Sequence, residues 1–307
     1  MRVVFFGTPE PAAVALGTLL ASDLEVAAVV TQPDRRRGRS GRAVPSPVKE
    51  RALAGGLPVL QPESPQDPGF VGTLEGFAPD VGAVVAYGHL LPRETLVVPP
   101  RGFVNVHFSL LPRYRGAAPV QRAVMAGETV TGVSTFLLEP TFDSGPILMV
   151  QREPIAEEDT AGTLMERLTP VGADLLVRTL EGLVAGTLEP RPQDDALATP
   201  APKIRREEAE IDWTRPASDL NNLVRGLNPA PGAFTIFRGK RLKIWRASAA
   251  PGAAMPGNIV DIGDGRLGVG TSDGVLELHD VQLEGSKRLK TDAFLRGHRP
   301  ETGETLG

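Results

Sequence analysis

Three side chains with a shared chemical use lie in one short run of this sequence and in one turn downstream of it. The run Asn105-Val106-His107-Phe108-Ser109-Leu110-Leu111-Pro112 opens as a β-rich segment. Asp143 lies in Thr141-Phe142-Asp143-Ser144-Gly145, a stretch of turn composition between the β-rich runs 132–138 and 146–151. Side chains two apart in a strand share a face, so Asn105 and His107 can converge on one substrate atom. Amide, imidazole and carboxylate together suit transfer of an acyl group to an amine. The attacked carbonyl becomes an oxyanion, which Asn105 and a protonated His107 can stabilise. A carboxylate beside an imidazole stabilises the imidazolium and helps move a proton from the attacking amine to the departing nitrogen. No covalent enzyme intermediate is required. Spacing alone also fits two hydrogen-bonded structural residues, and at this point both readings stand.

Other chemistries lack their residues. Gly7-Thr8-Pro9-Glu10 occupies the place of a dinucleotide-binding glycine loop without the GxGxxG pattern, and neither a GxxxxGK[ST] phosphate loop nor a GxSxG nucleophile turn occurs. The histidines are His89, His107, His279 and His298, with no HExxH or comparable spacing, so no metal is expected. The absence of cysteine excludes a thiolate nucleophile, a disulfide and a Cys-ligated metal. A net charge of −4 argues against a generic polyanion binder, yet Arg35, Arg36, Arg37, Arg39 and Arg42 crowd one segment with no acid among them. Such a run is either a solvated loop or a contact for phosphates.

The elements that must position these residues follow from periodicity. In 307 residues, one large and one small domain are expected. Residues 1–188 alternate short β-rich runs (2–6, 25–31, 81–86, 103–108) with helical stretches (12–21, 48–55, 117–127, 163–186), the signature of an α/β domain with a Rossmann-like, mostly parallel sheet. Thr8 is placed to cap the first helix, with Pro9 at its first position. In an open sheet of this kind the site lies at or beyond strand ends, where both polar clusters fall. Residues 189–206 are rich in proline and read as a semi-extended linker. Residues 207–307 hold short strands separated by turn dipeptides such as Gly239-Lys240 and Asp273-Gly274, and predict a smaller C-terminal OB-like β-barrel. The opening apolar run, Val3 to Phe6, is too short for a signal peptide, and no stretch approaches the roughly 18 apolar residues of a membrane span, so a soluble, cytoplasmic protein is expected.

The run from Asn105 to Pro119, Asn-Val-His-Phe-Ser-Leu-Leu-Pro-Arg-Tyr-Arg-Gly-Ala-Ala-Pro, strongly resembles the central signature of the folate-dependent formyltransferases. Asp143-Ser144-Gly145 with Ile147-Leu148 resembles the second signature of that family. The resemblance continues through Phe6-Gly7-Thr8-Pro9-Glu10, Thr31-Gln32-Pro33-Asp34-Arg35, Pro45-Ser46-Pro47-Val48-Lys49, Val85-Ala86-Tyr87-Gly88, Ile211-Asp212-Trp213 and Arg225-Gly226-Leu227-Asn228-Pro229. It implies that Asn105, His107 and Asp143 are a catalytic trio. It implies further that 10-formyltetrahydrofolate lies between Tyr87, Gly88, Leu90 and Leu91 on one side and Ser109, Leu110, Leu111 and Pro112 on the other, partly through backbone groups. The acceptor it implies is the amino group of methionine on initiator tRNA, with Arg35, Arg36, Arg37, Arg39 and Arg42 at the acceptor arm, Arg42 foremost, and a basic barrel face toward the tRNA backbone. A monomer is expected. Departures from the family pattern are Pro11, His89, Phe108 and Ala230, of which Phe108 alternates away from the catalytic face. Two rivals stay open: a sugar-amine formyltransferase, and a tRNA-binding module with a vestigial catalytic domain.

Overall fold

Strand β1 (Arg2–Gly7) carries four successive apolar residues, Val3 to Phe6, and all four are fully buried, as expected of a strand inside a parallel sheet covered on both faces. The computed structural model describes residues 1–36, 43–263 and 266–307. Arg37, Arg39, Arg42 and the Asp264-Gly265 turn lie outside them. After β1 the chain continues through α1 (Glu10–Leu20), β2 (Glu25–Val30), β3 (Arg35–Arg36), β4 (Ala43–Val44), α2 (Pro47–Ala54), β5 (Val59–Leu60), α3 (Pro68–Glu75), β6 (Val81–Val85), α4 (Arg93–Leu96) and β7 (Phe103–His107). Next come α5 (Pro119–Met125), β8 (Val130–Leu137), β9 (Ile147–Pro154), α6 (Ala161–Ala185) and α7 (Ala217–Gly226). The remainder holds β10 (Ala233–Phe237), β11 (Lys240–Ala250), β12 (Ile259–Asp261), β13 (Leu267–Gly270), β14 (Val275–Leu283), β15 (Leu289–Lys290) and α8 (Thr291–His298).

Two compact units result. One comprises Met1–Ala117, Val130–Pro154 and Met165–Ala201; the other comprises Ala118–Thr129, Ile155–Leu164 and Pro202–Gly307. In the first, the sheet order is β5-β2-β1-β6-β7-β8-β9, with the first five strands parallel, β8 antiparallel to β7 and β9 antiparallel to β8. This is the Rossmann-like sheet that the alternation of elements predicts. Val4, Phe6, Val84 and Phe103 pack with Phe70 and Leu74 of α3 on one face. That helix escapes the reading by periodicity because Gly69 and Gly72 weaken it. It is held by the Asp67 cap on the Gly69 amide (2.9 Å) and by its buried Phe70/Leu74 pair. The Thr8 cap is corrected. Pro9 occupies the cap position without a side-chain bond, and the Thr8 hydroxyl instead donates to the Tyr87 carbonyl at 3.3 Å.

In the second unit an antiparallel sheet runs β10-β11-β14-β13-β12, with β15 beside β14. Arg238 (φ 49°) and Gly239 (φ 76°) make the tight β10–β11 turn in left-handed backbone. The terminal segment 303–307 bonds to both edges of the sheet. Ile259 N donates to Glu304 O at 2.8 Å and Gly307 N to Ile236 O at 3.0 Å, which curls it into the OB-like half-barrel. Leu220, Leu223 and Val224 share one buried face of α7, continued by Leu227 just past its end, and Gly226 lets α5 approach closely, since a Cβ there would collide with Met125. No helix among the described residues is long and apolar enough to cross a membrane.

Arg122 of α5 holds Glu208 through two bonds, at 2.6 and 3.1 Å. This pairing, with the Arg205 amide, depresses the Glu208 carboxyl from 4.5 to about 2. A carboxylate with a depressed folded value stabilises the fold above its unfolded value, and that contribution disappears as pH falls from about 4.5 to about 2. Glu208→Gln is therefore expected to cost about 1–2 kcal/mol at pH 7, the usual worth of a charge-assisted bond. The cost should fade in acid. Urea unfolding at pH 7 and pH 3 checks this, and equal midpoints for both proteins at pH 7 would refute it.

Candidate active site

The catalytic candidates are brought to neighbouring points of the first unit by two strand ends. Asn105 and His107 lie on β7 opposite Phe136 and Ser134 of β8, and Asp143 lies in the connection from β8 to β9. His107 is 5% exposed, which fixes its ring in a defined place. Its Nε2 is 2.8 Å from the Tyr114 carbonyl oxygen, and its Nδ1 is 3.7 Å from Asp143 Oδ2. A carbonyl only accepts, so Nε2 carries the proton in the neutral ring, and Nδ1 is left as the atom that gains and loses one. Asp143 Oδ2 also accepts the Gly116 amide at 2.8 Å. The carboxylate thus faces a backbone donor and a ring nitrogen together, in the geometry of an imidazole held by an anion. The Asn105 amide is half-buried and makes no hydrogen bond to any described residue, which leaves its donors for a substrate.

Backbone conformation accounts for the sequences around the trio. Tyr114 (φ 61°) and Asp143 (φ 49°) adopt left-handed backbone, and Gly116 (φ 124°) adopts a region open to glycine. A Cβ at Gly145 would collide with the Leu137 carbonyl, so Asp-Ser-Gly returns into β9 through a position that only glycine fits. Phe108, next in line after His107, is buried beside Gly172 of α6, on the other face of β7 from Asn105 and His107.

The residues assigned to folate fall into two sorts. In the segment after β6 the Tyr87 ring is in the core, 5.3 Å edge-on to Phe6, and burial pushes its hydroxyl up to about 12. Its carbonyl receives Gln32 Nε2 at 2.8 Å and the Thr8 hydroxyl at 3.3 Å. Gly88 has φ 84°, and a Cβ there would lie 2.7 Å from Gln32 Nε2, which explains the glycine. His89 and Leu90 are exposed and Leu91 is buried. After β7, Ser109 is fully buried and its hydroxyl donates to the Arg113 carbonyl (2.7 Å), while Leu111 is buried and Leu110 and Pro112 are half-buried. These two segments offer backbone groups and apolar flanks rather than charged side chains, which suits a flat, neutral ring system.

Of the arginine run, Arg35 and Arg36 form β3, paired with Ala43 and Val44, and Arg35 reaches Gln32 Oε1 at 2.7 Å. Asp34 anchors the base of this ribbon through Lys49 Nζ at 2.7 Å and Gln61 at 2.8 Å, and these bonds hold its carboxyl below the usual range. Tyr114 and Gly116 act through backbone groups, a role that residue type does not reveal.

Residues 1–180 match the formyl transferase family and residues 203–299 match the formyl transferase C-terminal domain. A protein of Streptomyces coelicolor named methionyl-tRNA formyltransferase is 49% identical over 310 residues, covering 100% of each chain. A protein of the same name from Lachnospira eligens is 45% identical, again over 100% of each chain. Among solved structures, the sugar 3N-formyl transferase WlaRD, determined with dTDP and 5-N-formyl-THF, is similar at TM-score 0.68 and 15% identity, over 94% of this chain and 99% of that one.

Proposed function

The chain belongs to the formyl transferase family, and we propose that it moves the formyl group of 10-formyltetrahydrofolate to the α-amino group of methionine esterified to initiator tRNA. Formyl transfer to methionyl-tRNA is its activity: full-length relatives at 45–49% identity carry that name, whereas the sugar-acting neighbour shares the fold at 15%. The observation that carries the chemistry is the convergence of His107 Nδ1 on Asp143 at 3.7 Å, with Nε2 committed to the Tyr114 carbonyl. The methionine nitrogen bonds to the formyl carbon, and the carbonyl electrons move onto oxygen. Asn105 and protonated His107 donate to that oxyanion. The carbon–N10 bond then breaks as His107 Nδ1–H gives its proton to N10, and the proton lost by the amine, taken up by Asp143, returns to Nδ1. Amine and tetrahydrofolate nitrogen thus exchange one formyl for one proton.

The arginine segment from Arg35 to Arg42 engages the acceptor arm in this reading, with Arg37, Arg39 and Arg42 contacting phosphates and base edges. The barrel presents a second basic surface. Arg241 lies over the Phe234 ring at 4.3 Å and Lys243 over Trp245 at 5.2 Å, and both cations line a 360 Å³ cleft with Arg206. Rings interleaved with cations suit a polynucleotide. In this reading the enzyme works as a cytoplasmic monomer, each chain carrying its own Asn105, His107 and Asp143.

The test is transfer of labelled formyl from 10-formyltetrahydrofolate to methionyl initiator tRNA, alongside an amino-sugar nucleotide as rival acceptor. Robust transfer to tRNA alone is expected. Arg42→Ala should raise KM for tRNA about tenfold, leave kcat unchanged, and lower the salt slope by about one. Turnover on the sugar without transfer to tRNA would overturn the acceptor assignment.

A further inference from the structure

We propose that Gln193 is the positioning residue of the catalytic carboxylate, holding the Asp143 loop in its working conformation from a segment whose prolines read as a connector. This rests on the assignment of Asp143 to the reaction. Asp143 has φ 49°, a conformation that an L side chain rarely adopts and that needs outside support. Gln193 supplies it. Its Nε2 donates to the carbonyl of Asp143 at 2.9 Å and to that of Gly145 at 2.7 Å, so both amide protons span the residue whose carboxylate faces His107.

The amide cannot turn over. Its Oε1 accepts from Arg115 at 3.0 Å (Nε) and 2.8 Å (Nη2), and a flip would set oxygen against two carbonyls and NH₂ against a guanidinium. Arg115 is itself tied to Asp195 at 2.8 Å, and the next residue, Gly116, donates its amide to Asp143 Oδ2 at 2.8 Å. One short network thus grips Asp143 at its carbonyl and at its carboxylate. The segment carrying Gln193 is fastened on both sides of it. Arg191 and Ile147 exchange two backbone bonds of 2.8 Å. Downstream, Thr199 Oγ1 accepts the Tyr114 amide at 2.8 Å, and Thr199 O accepts the Arg115 amide at 2.9 Å. Tyr114 is the residue whose carbonyl fixes His107 Nε2. The segment 191–201 therefore braces the carboxylate loop through Gln193 and the imidazole's backbone partner through Thr199.

A positioning role makes three variants behave differently. Gln193→Ala should lower kcat about ten- to hundredfold, with KM for folate and tRNA within twofold of wild type, because a misplaced catalytic group slows the chemical step rather than binding. Gln193→Glu keeps the size and pairs with Arg115, yet presents acceptors to two carbonyls. It should be no more active than Gln193→Ala, whereas a space-filling role would be rescued by it. In the double variant Gln193→Ala/Asp143→Asn, kcat should equal that of Asp143→Asn alone, since the support has nothing left to position. Full kcat in Gln193→Ala, rescue by Gln193→Glu, or the same fold loss on the Asp143→Asn background would each overturn the proposal. If wild type turns over an amino sugar instead of tRNA, the same cycle on that acceptor decides the Gln193 question separately. Wild-type activity in Asp143→Asn would remove the assignment on which the proposal rests.

Discussion

Replacing His107 by alanine is expected to lower kcat for formyl transfer by about 10³- to 10⁴-fold, the range for losing a positioned acid–base group together with an oxyanion donor. The ring is 5% exposed and held through Nε2, with Nδ1 turned toward Asp143, so its place relative to a bound substrate is set before binding occurs. Truncation also leaves the Tyr114 carbonyl without its 2.8 Å partner, which costs about 1–3 kcal/mol of stability. His107→Gln therefore accompanies it. A side-chain amide can still donate to that carbonyl but cannot take a proton at the position of Nδ1. Both variants should bind folate and tRNA with KM near wild type and fail in single-turnover transfer. Thermal unfolding separates loss of chemistry from loss of fold. A His107→Gln enzyme within tenfold of wild type would show that the ring serves as a hydrogen-bond donor alone.

Much of this was legible before any coordinates, for reasons that differ between the fold and the site. Strands such as Val81 to Val85 are continuous apolar runs that stay buried in a parallel sheet, and α7 shows its buried stripe as helical spacing, so local pattern and tertiary environment agree. Asn105 and His107 were legible because strand alternation alone puts them on one face. Gln193 was not, since its meaning depends on carbonyls 50 and 48 residues away. Its flanking prolines lower the expectation of order, although isolated bridges at Arg191 and Pro200 fasten the segment without a regular strand. The Tyr87 ring was equally opaque. An aromatic after a strand end can face a ligand or the core, and only the packing against Phe6 decides it. Thr8 shows the same competition over one hydroxyl. Local capping chemistry is available there, and a carbonyl 79 residues away outbids it.

Asn105 gives the second large effect, and two substitutions give it a sign as well as a size. In Asn105→Ala the oxyanion loses its amide donor, and kcat should fall about 10²- to 10³-fold, as for removal of one such donor elsewhere. Asn105→Asp preserves the shape of the side chain on β7 but replaces the donor by an anion facing the oxygen on which charge develops. Repulsion in a half-buried site adds to the missing bond, so the aspartate variant should be slower than the alanine variant by roughly a further tenfold. Since the Asn105 amide bonds to no described residue, neither change strips a structural partner, and both proteins should unfold at the wild-type midpoint. The ranking is the decisive measurement. An aspartate enzyme faster than the alanine enzyme would mean that Asn105 accepts a hydrogen bond from the substrate rather than donating one, and the oxyanion would then be stabilised by His107 alone.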